Sequence, residues 1–113
     1  MKKILVIGGG GYVGSQLVPD LLKLNYKVDV YDLFIYGKKF FSENDKLNLI
    51  QGDVRDIENI NKVINNHEIL IHLACISNDP SFELNPKLGK SINLDCFRPL
   101  VEISKKKNVK RFI

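Results

Sequence analysis

The sequence predicts an α/β chain built on a doubly wound parallel sheet. Three observations carry this: short β-branched runs alternate with segments whose apolar residues recur every three to four positions, the first run ends in four glycines, and the second ends in an aspartate. The first run, Lys3 to Ile7, is uninterruptedly apolar after its lysine, as a strand covered on both faces requires. Tyr12 to Leu24 then carries Val13, Leu17, Val18, Leu21, Leu22 and Leu24 as a helical stripe. Further strands are expected at Val28 to Tyr31, Leu47 to Ile50 and Ile69 to Ala74. A second helix is expected over Ile57 to Asn65, where Ile57, Ile60, Val63 and Ile64 share a face. A third is expected from about Leu88 to Lys107, marked by Leu88, Ile92, Cys96, Leu100 and Ile103. Arg111-Phe112-Ile113 begins a fifth strand. Strands separated by helices pair in parallel through right-handed crossovers. Pro19 and Pro99 fall inside the predicted helices and each removes an amide donor, so kinks are expected near Ser15 to Pro19 and near Asp95 to Pro99.

With 113 residues there is room for one domain, and 44% hydrophobic with 27% charged residues is the balance of a soluble globular chain. The net charge of +4 is local: five of the seventeen basic residues lie in Ser104 to Ile113, which has no acidic residue, and the remainder is twelve against thirteen. Lys105, Lys106 and Lys107 at a helix C-terminus complement the helix dipole, so a nucleic-acid partner is not expected. Cys75 and Cys96 lack metal-ligand spacing, so no metal site is expected, and as free thiols they suit a reducing, cytoplasmic location. Ile4 to Ile7 is too short for a signal peptide or a membrane span.

The chemistry concentrates where the first strand meets the first helix. Gly8, Gly11 and Gly14 are spaced three and three apart in Gly8-Gly9-Gly10-Gly11-Tyr12-Val13-Gly14. A glycine at the strand end permits a tight turn, a second lets backbone approach a pyrophosphate, and a third lets the helix pack closely on the strand. The amides and dipole of the helix N-terminus then attract phosphates. Asp32 follows Gly14 by eighteen residues at the end of the second strand, where a carboxylate accepts hydrogen bonds from the adenosine ribose. It also repels a 2′-phosphate, which favours NAD over NADP, although Lys38 and Lys39 could instead reach such a phosphate. The expected fold is therefore of the Rossmann type, with strand order 3-2-1-4-5.

On these residues the chain resembles the extended short-chain dehydrogenase/reductases, in particular the nucleotide-sugar epimerases and dehydratases. The carriers are the glycine run with Tyr12-Val13, Val30-Tyr31-Asp32, Gly52-Asp53-Val54-Arg55-Asp56, His72-Leu73-Ala74-Cys75, Asn93, and Asn108 to Ile113. The resemblance implies that Gly11 to Gly14 cover the pyrophosphate, that Asp32 binds the adenine ribose, and that Asp53 with Val54 holds the adenine edge. It further implies that Leu73, Ala74 and Cys75 border the nicotinamide and that Asn93 fixes the active-site end. Cys75 stands where a small Ala or Gly is usual, and Cys96 and Phe97 replace small residues after Asn93, which alters the nicotinamide pocket. The family's catalytic Ser or Thr and its Tyr-x-x-x-Lys follow the fifth strand. The chain ends within that strand, so it reads as an N-terminal, incomplete NAD-binding Rossmann domain, expected to be inactive alone. The full-length protein implied is a homodimer acting on a nucleotide sugar; a non-catalytic dinucleotide sensor of the same fold is the alternative.

No catalytic residue is assigned within the chain. His72, between Ile71 and Leu73, reads as a packed position rather than a general base, and His67 reads as surface. Ser77 and Asp79, with Asn78, follow the fourth strand on the ligand-binding side of such sheets, as substrate contacts or as a turn before Pro80.

Overall fold

The computed structural model describes residues 2–35, 37, 41–74, 87 and 95–113. Five parallel strands, β1 (Lys3–Ile7), β2 (Lys27–Asp32), β3 (Leu47–Gln51), β4 (Ile69–His72) and β5 (Arg111–Phe112), form one sheet in the order β3-β2-β1-β4-β5. This is the predicted order. The most apolar run, β1, occupies the centre, with Ile7 level with Tyr31 of β2 on one side and with His72 of β4 on the other. Leu5, Val6 and Ile7 are fully buried, as a strand with neighbours on both edges and helices on both faces must be.

The period-two alternation of β2 assigns its residues to two layers. Val28 and Val30 join Ile4, Val6, Val18, Phe34 and Ile71 in the layer beneath α1 (Tyr12–Lys23). Tyr31 joins Leu5, Ile7, Ile60, Ile64, Leu70 and Leu100 in the opposite layer, beneath α2 (Ile57–Val63) and α3 (Phe97–Lys106). Asp56 caps α2 by accepting the Asn59 amide at 3.1 Å, and Lys105 and Lys106 occupy the last turn of α3.

Local differences from the sequence reading have physical causes. α1 runs unbroken through Pro19, carried by its buried stripe rather than by the lost hydrogen bond. The α3 segment begins at Phe97, which puts Pro99 in its first turn, where an amide has no intrahelical acceptor in any case. Ahead of it Asp95 lies in a wide π-type turn, and Leu88 and Ile92 lie outside the described residues. β4 stops at His72, two residues before the expected end: the Leu73 amide makes a last bond to the Ile7 carbonyl, and Ala74 then passes beside the glycine turn. Among the described residues no helix is long and apolar enough to cross a membrane.

Candidate functional site

The C-terminal strand ends are stitched into one platform. The Gly8 amide donates to the Tyr31 carbonyl at 2.7 Å, the Leu73 amide to the Ile7 carbonyl at 2.7 Å, and the Gly52 amide to the Asp32 carbonyl at 2.9 Å. Successive elements leave β1 for β2 on one side and reach β4 on the other, so the crevice of a doubly wound sheet opens here.

Gly8 has φ +83°, a left-handed conformation, and a Cβ on it would come within 2.6 Å of the Ala74 Cα. Thus Leu73 and Ala74 pass directly against the turn. Gly14 also has no room for a Cβ, but its neighbour is the Gly9 carbonyl: the glycine lets the helix close on the turn itself, rather than on the strand as expected. Gly11 differs, since among the described residues the nearest atom to a Cβ there is the Gly8 carbonyl oxygen at 3.8 Å. Gly11 is the N-cap of α1, no side chain caps that end, and the first turn carries no acidic residue. Tyr12 and Val13 are exposed there, at 84% and 58%.

Asp32 stands at the mouth of this turn. One carboxylate oxygen accepts the Gly10 amide at 3.0 Å and the other accepts the Phe34 amide at 2.7 Å. Each oxygen has two acceptor directions, so the carboxylate is fixed by backbone donors and keeps acceptor capacity for hydroxyl groups. A Cβ at Gly10 would fall 2.8 Å from Asp32 Cγ. Gly10 is therefore a site residue that the three-and-three glycine spacing hides; the run of four consecutive glycines was its only signal.

Asp53 adjoins this site through Tyr31. The Tyr31 phenol donates to the Asp53 carbonyl at 2.8 Å and accepts Asn59 Nδ2 at 3.1 Å, and its ring lies against Gly52. Burial pushes the phenol pKa up. The Asp53 carboxylate turns toward Arg55, accepting its backbone amide at 2.9 Å and its guanidinium through Nε and Nη2. The hydrogen bond from that guanidinium holds Asp53 below the usual carboxylate range. Val54 is buried, and an open cavity of about 230 Å³ beside it is lined by Arg55, Ile57, Asp95, Cys96 and Pro99.

The histidines divide differently from the sequence reading. His67 is buried, not at the surface: its Nε2 lies 2.8 Å from Asp29 Oδ2, a partner 38 residues away that no local pattern reveals. His72 is packed as expected, its ring 6.5 Å from that of Phe97 and 6.2 Å from that of Phe112, and burial lowers its pKa. Cys75, Ser77, Asp79 and Asn93 lie outside the described residues, as do Lys38, Lys39 and Asn78.

A sequence model of the NAD dependent epimerase/dehydratase family matches residues 4–113. The chain belongs to this family. Its relatives include a putative UDP-glucose 4-epimerase of Methanocaldococcus jannaschii, 30% identical over 112 residues, covering 97% of this chain and 36% of that protein. Another, an uncharacterized membrane protein of the same organism, is 29% identical over 116 residues, covering 99% of this chain and 35% of that one. Among solved structures, the Thermus thermophilus UDP-glucose 4-epimerase in complex with NAD superposes with a TM-score of 0.86 at 26% identity, over 97% of this chain and 36% of that one. The chain thus spans about a third of the length of the proteins it matches.

Proposed function

We propose that this chain is the NAD-binding portion of a nucleotide-sugar epimerase or dehydratase. The observation that carries the reading is the Asp32 carboxylate, held by the Gly10 and Phe34 amides at the mouth of an uncapped helix N-terminus. The residues present fit a dinucleotide. A backbone without a side chain at Gly11 would leave room for a pyrophosphate, Gly8 and Gly10 let the turn close on Ala74 and Asp32, and the α1 amides of Tyr12, Val13 and Gly14 would hold the phosphates. Asp32 would accept both hydroxyls of the adenine ribose, and Asp53 with Val54 would border the adenine. Leu73 and Ala74, against Gly8, would line the path to the nicotinamide, with Cys75 and Asn93 beyond.

When bound, NAD accepts hydride from a sugar carbon and can return it. This chain's residues would orient the dinucleotide and exclude water from its pyrophosphate face. A carboxylate at position 32 disfavours a 2′-phosphate, which supports NAD over NADP. The partner class is a nucleotide sugar, with Ser77 and Asp79 as candidate contacts. A cytoplasmic homodimer completes the reading, and sedimentation of the purified protein tests the dimer.

Calorimetric titration with NAD and NADP tests the cofactor. NAD is expected to bind the tighter, and Asp32→Ala to lose about 1.5–3 kcal/mol of NAD affinity, the range for a hydrogen bond to a charged group. Equal affinities for both dinucleotides, unchanged by the substitution, would contradict the assignment.

A further inference from the structure

Phe34 is the one described residue beside the glycine turn whose conformation opposes its own chemistry. It has φ +54°, in the left-handed region that Asn and Gly tolerate and bulky side chains avoid. Three of the four described non-glycine residues in that region are Asn25, Asn66 and Asn108, each ending or following a helix; Phe34 is the exception. The residue is 8% exposed and packs in the layer with Val6, Val18 and Val30. It also reaches beneath the turn, since a Cβ at Gly10 would meet its Cδ1 at 3.0 Å.

We infer that Phe34 is a positioning residue for ribose recognition, its buried ring holding the backbone left-handed so that its amide clamps the Asp32 carboxylate under Gly10. The inference rests on the dinucleotide reading of Asp32. The chemistry is direct. The carboxylate has two amide donors on two separate segments, Gly10 on the turn and Phe34 two residues downstream, and together they fix both its position and its rotation. Removing the Phe34 donor frees the carboxylate to rotate about the Gly10 contact, and ribose hydroxyls then meet a mobile acceptor. The chain beyond is tied to the same conformation, because the Gly37 amide donates to the Phe34 carbonyl at 2.9 Å. Phe34 thereby acts on the ligand through Asp32.

Two substitutions separate ring from backbone. Phe34→Ala and Phe34→Gly remove the same ring, but only glycine adopts the left-handed conformation without cost. NAD titration of the 113-residue chain should show Phe34→Ala weakened about tenfold and Phe34→Gly within about threefold of wild type, a split that loss of packing alone does not produce. In an Asp32→Ala background, Phe34→Ala should cost nothing further, the non-additivity of residues acting as one unit. Equal losses in the two variants, or an undiminished effect of Phe34→Ala without Asp32, would overturn the inference and leave the cofactor reading standing. Failure of the wild-type chain to bind either dinucleotide would overturn both. Should both variants fail to fold, amide exchange by NMR decides. The Phe34 amide should be protected in the wild-type chain and lose protection in Asp32→Ala, whereas fast exchange in the wild type contradicts the clamp.

Discussion

Asp29 and Asp32 lie three residues apart on one strand and differ in almost every physical respect. Odd spacing sends them to opposite faces of the sheet. Asp29, level with Leu5 in the middle of the strand, is buried, and its Oδ2 is shared by His67 at 2.8 Å and Lys3 at 3.4 Å. Burial acts to raise its pKa, but the His67 hydrogen bond and the Lys3 charge outweigh it and leave the carboxyl below its ordinary value. Asp32 ends the strand and, among the described residues, is gripped by backbone amides alone. A carboxylate matched by side chains inside the protein serves the fold. One matched by backbone donors at an open rim is oriented and still able to accept. The partners, more than the burial, tell the two roles apart.

The largest effect should come from Asp29→Ala. It leaves His67, whose side chain is 0% exposed, without the Asp29 carboxylate, and leaving a buried polar group unsatisfied costs up to about 3 kcal/mol, read as a lower urea midpoint. NAD affinity should be unchanged. Asp32→Ala should reverse the pattern, with the affinity loss given above and a stability change of about 1 kcal/mol. If Asp32→Ala unfolds the chain as readily as Asp29→Ala, the distinction fails. Gly10→Ala sharpens the comparison: the new methyl group must displace the Asp32 carboxylate or the Phe34 ring, so NAD affinity should fall by about 1–2 kcal/mol.

The smallest effects are in pH dependence. The Asp29 pKa is lowered by folding, so its stabilisation is fully present above about pH 4, the unfolded carboxylate value, and is lost as pH falls through the folded value. Acid unfolding of Asp29→Asn should lack this component. The His72 pKa is also lowered, by burial, so its contribution is present above about pH 6.5 and declines as pH falls below that. Thermal melts between pH 7 and pH 5 should therefore lose less stability in His72→Phe than in the wild type.

The sheet was legible in the sequence because β1 and β4 are apolar runs that suit a doubly covered strand, because β2 sets Val28, Val30 and Tyr31 ahead of its closing aspartate, and because Gly8 to Gly14 marks the first crossover. Gly8 and Gly14 were legible for a related reason, since backbone geometry demands glycine at both, and Asp32 was legible from its place at the end of the second strand. The Asp29–His67 pair was not, since its members are 38 positions apart and each alone looks like an ordinary polar residue. Nor was Phe34, because an apolar residue in a long irregular stretch signals burial and says nothing of a left-handed backbone. Pro99 misled through its setting: the described helix begins at Phe97, so the proline meets a first turn instead of a helix interior.

If the glycine turn and Asp32 form one dinucleotide-binding surface, backbone amide NMR of the chain titrated with NAD reads it residue by residue. The largest shifts are expected at Gly10, Gly11, Tyr12, Val13 and Asp32, with the amides of Asp29 and His67 unmoved; shifts confined to other residues, or none at saturating NAD, would contradict a shared surface.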